Sequence, residues 1–577
     1  MSELIITEGT TIIEDSQYYG CQDFTSVVIP DSVTVIEKWA FGDCRSLKSV
    51  VIPDSVTVIG MLAFGCCSGL ESIQVDPANP VYDSRENCNA IIETASGKLI
   101  LGCKNTTIPN SVTGIAEFAF ERCIGLKHIT IPDSVTKIGE FAFLRCSSLV
   151  RAVIPNSITE IMSGVFGGCK NMENVAIPNS VKMIGEGAFQ NCESLKKIII
   201  PNSVTEIGDS AFECCFKLES VNIPDLVTKI GVEAFSTCYD LASISVDPAN
   251  PVYDSRENCN AIIETASGKL IVGCKNTTIP NSVTEIGPYA FDHCIGLNSI
   301  VIPDGVKKIG AFAFFHCGRM KSVTIPDSVT EFSAGAFSEC FNMEDIHFPN
   351  RLKIIEFEAF SRCYNIFTIA IPASVDDIAD DAFSECASLT SITVEEGNPC
   401  YDSRENCNAI IEKSSDKLIV GGRETIIPDS VKIIGMCAFR GLNGLYSIFI
   451  PASVKCIAID AFHGCRNLGS IVVSQDNKNY DSRQNCNAII ETCSNKLIVG
   501  SSRTIIPDTV TEIGYGAFSS RKSLRKIFIP DSVTRIARNA FADCSFRGKP
   551  LTIEVSKGRE KEIEEMLPVD SFFIVGV

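Results

Sequence analysis

Fifteen cysteines recur at one repeat position, from Cys44 and Cys67 through Cys465 to Cys544, and Leu442 and Arg521 stand in the two places where the column fails. Thiols stacked about one strand spacing apart have two chemistries open to them: disulfide formation, or burial as small apolar groups with a weak S–H donor. Thiols pointing the same way on parallel rungs rarely reach the dihedral that a disulfide needs, so the spacing predicts buried S–H groups, each facing the turn above it. Two further pairs, Cys88 with Cys103 and Cys259 with Cys274, share one spacing, with Gly422 and Ser501 where two other copies would place the second cysteine. A staple used in two of four copies is optional, and bonded or free remain alternatives there.

Metal chemistry is offered by His293-Cys294 and His316-Cys317, one repeat apart, because two nitrogens and two sulfurs would satisfy zinc. Adjacent residues on a turn point in opposite directions, so the cysteines are expected inward, the histidines outward, and no metal or other cofactor bound. The Asp83-Ser84-Arg85-Glu86 motif occurs in four copies, each after a tyrosine (Tyr82, Tyr253, Tyr401, Tyr480), with Gln484 replacing the glutamate once. It reads as an Arg-Asp pair bracing a hairpin base rather than as an active site. The Asp/Asn column after each proline reads as turn capping ahead of a calcium ladder. With only five histidines and no G-x-S-x-G, H-E-x-x-H or Walker A loop, the chain is expected not to be an enzyme.

All of these residues are placed by a repeat. The sequence I-P-D-S-V-T-x-I-G-x-x-A-F-x-x-C-x-S-L-K-S-V returns every 23 residues, its proline falling at seventeen positions from 30 to 530, and four steps are lengthened to 56. A phenylalanine stands eleven residues after every one of these prolines, from Phe41 to Phe541, and the position six after the proline is Ile except at Phe332. Such columns describe a core. L-x-x-V-x-I-P alternates like a short strand closed by a residue that cannot donate to a ladder, V-T-x-I suggests a second short strand, and A-F-x-x-C a helical or 3₁₀ turn. The expected fold is a right-handed, mainly β repeat solenoid, since one repeat cannot bury its own apolar face but stacked repeats can.

Residues 1–29 fit the frame as a degenerate first repeat if Thr7 replaces the proline, 30–545 form the solenoid, and 546–577 form a different C-terminal cap with a Glu-rich helical stretch. The four long steps carry insertions at about 79–103, 250–274, 398–422 and 477–501, in which NAIIET and KLIVG (or close variants) read as a β-hairpin standing off the solenoid. Net charge is −20, from 50 basic and 70 acidic residues, with no basic run to neutralise phosphate, so nucleic acid and anionic membrane are not expected partners. No apolar stretch approaches a membrane span, and the opening MSELIITEGTTIIED has no export signal pattern.

The repeat, its cysteine and phenylalanine columns and the interposed N-P-x-Y-D-S-R-E-N-hairpin block resemble BspA-like leucine-rich repeat proteins, also called the Treponema-type class, over about residues 7 to 545. The resemblance implies a curved leucine-rich repeat horseshoe with the L-x-x-V-x-I strands on its concave side. It also implies adhesion or host interaction at the cell surface or in secreted form. The missing export signal and the capacity for reduced thiols favour the alternative, a cytoplasmic scaffold or recognition protein. Either way the partner is a protein, met by the exposed strand positions. These include Val51, Val153, Lys196, Lys197, Ile199 and Val301, and towards the C-terminus Tyr446, Phe449, Val472, Arg525, Lys526 and Phe528, where aromatic and Arg side chains together have the composition of an interaction hot spot. The competing reading is that these aromatics cover the neighbouring rung.

Overall fold

The computed structural model describes residues 2–544, 550–567 and 572–577. The chain forms two compact bodies, Met1–Pro280 with Tyr289–Cys294, and Asn281–Pro288 with Ile295–Val577.

In the first body the segment before each proline is a strand whose alternate residues point inward: Ser49–Ile52 buries Val50 and Ile52 and exposes Val51. Strands Ser2–Ile5, Phe24–Val28, Ser49–Ile52 and Ser72–Val75 stack in parallel, with Val27 beside Val50 and Val50 beside Ile73. A second parallel ladder of two-residue strands sets Ile13 beside Ile36 and Ile36 beside Ile59. Each side chain thus meets its counterpart 23 residues on, which is why whole columns share one residue type.

The A-F-x-x-C segment has 3₁₀-type bonds but no continuous helix. Ala40, Gly42 and Cys44 donate their N–H groups back three residues, while Phe41 and Asp43 donate theirs to Ala63 and Gly65 of the next repeat at 2.7 and 2.8 Å. Trp39 and Asp43, with φ of 57° and 58°, lie in the left-handed region, and such residues stop a turn from propagating. The arrangement leaves every N–H from Ala40 to Cys44 paired. Inside it, Phe120, Phe143, Phe166, Phe189, Phe212 and Phe235 stack with ring centroids 4.9 to 5.6 Å apart. After the proline, capping runs between repeats: Ser55 donates to the Val33 carbonyl at 2.7 Å and Ser180 to that of Ile158 at 2.6 Å.

The insertions do not stand off the solenoid. Ala90–Glu93 pairs antiparallel with Lys98–Gly102, which continues in parallel into the short strand Gly114–Ile115. Ala90, Ile91, Ile92 and Leu99 are fully buried. Ile91 packs into the core that begins at Ile6, and Ala90 and Ile92 into the core that follows, so the strand is a partition wall. The unbroken apolar run Ala-Ile-Ile is the signature of a strand buried on both faces.

The second body repeats the plan. Its short strands Glu285–Ile286, Lys308–Ile309, Glu331–Phe332, Ile354–Ile355 and Asp377–Ile378 form one parallel ladder. Phe332, the exception in the isoleucine column, is buried edge-on against Phe337 and Phe360. At the C-terminal end Lys526–Ile529, Leu551–Val555 and Phe572–Gly576 are parallel neighbours, and the helix Glu560–Met566 buries Ile563. The expected boundary at 545/546 lies outside the described residues.

Candidate binding face and the chemistry around it

The twelve strand positions expected to face outward are exposed, among them Tyr446 at 68% and Phe449 at 51%. Outward pointing follows from the pleat: Ile448 and Ile450 go into the core, so Phe449 cannot. Phe449 and Val472 are ladder partners. Phe528 stands beside Glu554, which holds the Lys526 ammonium at 3.1 Å and is followed across the ladder by exposed Val575. The insertion at 477–501 falls between Val472 and Phe528 in the chain. Ile426 and Ile505, each 76% exposed, occupy the same place in the repeat frame, outside any strand, and were missed from sequence. The signal that finds them is their place two residues before Pro428 and Pro507, as Phe449 precedes Pro451.

The cysteine column is a ladder of thiols that, where one 23-residue repeat follows another, donate to the carbonyl of the core phenylalanine of the preceding repeat, with Tyr18 taking that place for Cys44. Cys146 donates to Phe120 at 3.0 Å, Cys169 to Phe143 at 3.3 Å, Cys363 to Phe337 at 3.2 Å and Cys544 to Phe518 at 2.8 Å. Burial pushes the Cys192 and Cys386 thiols up to about 12, so they stay protonated and unreactive at neutral pH. All 28 cysteines are free thiols; Cys88 and Cys103 instead face the carbonyls of Ala90 and Asn89. The two gaps in the column, Leu442 and Arg521, sit in the first repeat after an insertion, where Gly421 or Gly500 takes the place of the core phenylalanine and donates its N–H to Ala438 or Ala517 as Phe41 does to Ala63. Cys123 and Cys294 follow the other two insertions, so the change of environment permits a different residue there without requiring one.

Arg521 fills its place in an unusual way. It is 1% exposed, with no carboxylate among the described residues hydrogen-bonded to it, and its guanidinium donates to the carbonyls of Gly500 (2.8 Å), Cys465 (3.1 Å), Ser519 (3.1 Å) and Phe462 (3.3 Å). Burial pulls its pKa down.

His293 and His316 are half-buried; Cys317 is fully buried as expected, whereas Cys294, in the first repeat after an insertion, is only half-buried. His293 Nδ1 lies 2.8 Å from Asp292, and His316 Nδ1 lies 2.7 Å from Glu339, whose other oxygen accepts from Arg362 at 2.6 Å. Burial raises the Glu339 carboxyl, but the bonds from His316 and Arg362 outweigh it and hold the group below its usual range. Among the described residues no group of three or more His, Cys, Asp or Glu could hold a metal.

The Asp-Arg pair of the insertion is bidentate: Arg85 Nε and Nη2 donate to the two Asp83 oxygens at 2.7 and 2.5 Å, and Thr94 donates to the same carboxylate at 3.0 Å. The neighbouring Asn and Tyr side chains are also spent on the fold. The Asn79 amide donates to Pro53 and Val56 carbonyls and accepts from the N–H groups of Val81 and Tyr82, which uses its full capacity. Tyr82, Tyr253, Tyr401 and Tyr480 each accept, at the hydroxyl, the N–H of Ile59, Ile230, Ile378 or Ile457, the donor left over where the insertion interrupts the short-strand ladder. No helix among the described residues is long and apolar enough to cross a membrane.

Two parallel ladders, one 23-residue coil per rung and a stacked phenylalanine core define a β-solenoid of the leucine-rich repeat class. A BspA type leucine-rich repeat region, in six copies, matches residues 1–89, 100–178, 159–260, 270–397 and 422–547, and the chain belongs to that family. Among solved structures it is similar to a leucine rich cell surface protein from Faecalibacterium prausnitzii, at 28% identity over 68% of this chain and 87% of that one, TM-score 0.42. It is also similar to leucine-rich repeat proteins from Bacteroides ovatus (22% identity, 82% and 98% covered, TM-score 0.34) and Eubacterium ventriosum (19%, 79% and 92%, TM-score 0.38). No curated protein matches the chain.

Proposed function

We propose that this chain is a non-catalytic protein-binding solenoid whose ligand docks on the exposed long-strand face around Tyr446, Phe449, Val472, Arg525, Lys526 and Phe528, in adhesion or host interaction at the cell surface. The observation that carries it is the exposure of aromatic, aliphatic and cationic side chains on and beside the long strands Ser447–Ile450, Ser470–Val473 and Lys526–Ile529. Membership of the BspA type family supports the surface assignment.

A photo-crosslinker placed at 449 or 528 should capture one protein, and the same group at exposed Met61 should not. Equal capture at all three positions would sink the face. Location is tested by labelling intact source cells with a membrane-impermeant reagent beside a protease-shaving control: labelling with shaving supports the surface role, and protection until lysis overturns it. The second reading, an intracellular scaffold using the same face, is favoured by the 28 free thiols.

A further inference from the structure

The turn side of the first body carries a groove of about 780 Å³, well inside the size range of ligand sites. Its floor is backbone, from Gly164, Gly167, Gly168 and Gly187. Nine residues after the proline, other repeats hold Trp39, Leu62, Phe118 and Phe141, all with φ of 57° to 58°, so the conformation does not demand glycine there. Gly164 has a packing reason, since a Cβ would overlap the Phe141 ring. Gly187 has none: the nearest heavy atom to a Cβ is the Gln190 side chain, 3.5 Å away. What the missing side chain leaves is space.

The walls are polar and of mixed charge. Arg122, Arg145 and Lys170 line the groove in a chain of net charge −20, together with Glu140 and Glu186. Lys170 pairs with Glu193 at 2.8 Å, and Arg122 reaches Asp43 at 3.9 Å. Arg145, exposed with its stem over Gly168, has no ion-pair partner among the described residues. Hydroxyls and amides come from Ser147, Ser163, Ser210, Gln190 and Asn191, and Phe141 and Leu144 supply a short apolar wall.

We propose that this groove binds an acidic oligosaccharide. The hydroxyls and amides match a polyol, the apolar wall matches the C–H face of a sugar ring, and the planar guanidinium of Arg145 matches a uronate carboxylate in two parallel bonds. A peptide fits less well. Peptide recognition needs a strand edge to extend or apolar anchor pockets, and the floor N–H groups of Gly164 and Gly168 are already given to the carbonyls of Glu186 and Gln190 at 2.8 and 2.7 Å.

The test is calorimetric titration of the full chain with tetragalacturonate, with maltotetraose as the uncharged sugar and hexaglutamate as the acidic peptide. Tetragalacturonate should bind, more weakly at high salt, and the other two should not. Arg145→Ala should weaken binding roughly tenfold or more. Gly187→Phe, which places in the groove a side chain that sibling repeats carry at the same φ, should abolish binding without lowering Tm. Absence of binding by tetragalacturonate, equal binding of hexaglutamate or maltotetraose, or undiminished affinity in folded Gly187→Phe or Arg145→Ala would overturn the proposal.

Discussion

At the scale of single residues, the buried thiols and four glycines carry the sharpest consequences. A thiol that ionises near 9.0 in the unfolded chain and near 12 in the native one, as burial dictates for Cys192 and Cys386, keeps its proton in the folded state while the unfolded chain gives it up. Its folded pKa is raised, so its contribution is whole below pH 9 and is lost as the pH climbs from about 9 through about 12. The urea midpoint should therefore fall steeply between pH 8 and pH 11, and Cys192→Ala should flatten part of that slope. Glycine acts through space. Gly102, Gly273, Gly421 and Gly500 each lie where a Cβ would run into the ring of Phe120, Phe291, Phe439 or Phe518. Gly102→Ala should cost about 1–3 kcal/mol by denaturant titration, the range for overpacking a filled core. Gly9→Ala meets nothing within 4 Å, so any cost it shows is that of its left-handed backbone, φ 89°.

At the scale of elements, each insertion is a repair kit for the break it makes. It interrupts the short-strand ladder and the phenylalanine stack, then supplies a tyrosine hydroxyl for the freed N–H, an asparagine for the carbonyls, and a glycine against the next ring. After two of the four insertions the cysteine position itself changes, once to leucine and once to arginine. Since Leu442 fills that position with an apolar side chain, Arg521→Leu should fold with stability within about 1–2 kcal/mol of the parent, or gain. Arg521→Ala, which leaves a hole beside the carbonyls of Phe462 and Cys465, should lose about 3 kcal/mol. Equal losses in both variants, measured by urea midpoint, would mean that the charge itself holds the layer together.

At the scale of the whole molecule, the repeat makes stability close to a sum over neighbours, and registry makes that sum possible. Excision of residues 133–155, one full period, should give a soluble chain with an unchanged circular dichroism spectrum per residue and a modestly lower midpoint. Excision of 133–154 should fail, because a one-residue slip turns every inward side chain of the junction outward. The same arithmetic explains what could be read in advance. Period, columns, inward and outward alternation, the buried thiol ladder and the exposure of Tyr446 to Phe528 all follow from local pattern, since a side chain two residues along a strand, or one period along the chain, has its direction set by covalent geometry. What only the tertiary structure decided are the meetings across an insertion: that Ala90 to Ile92 form a wall buried on both faces, that Tyr82 caps Ile59, that Arg521 spans to Phe462, and that Gly187 opens a groove. These depend on which repeat stacks on which after 33 additional residues and on the volumes that then collide or fail to, and neither quantity is written in any local run of sequence.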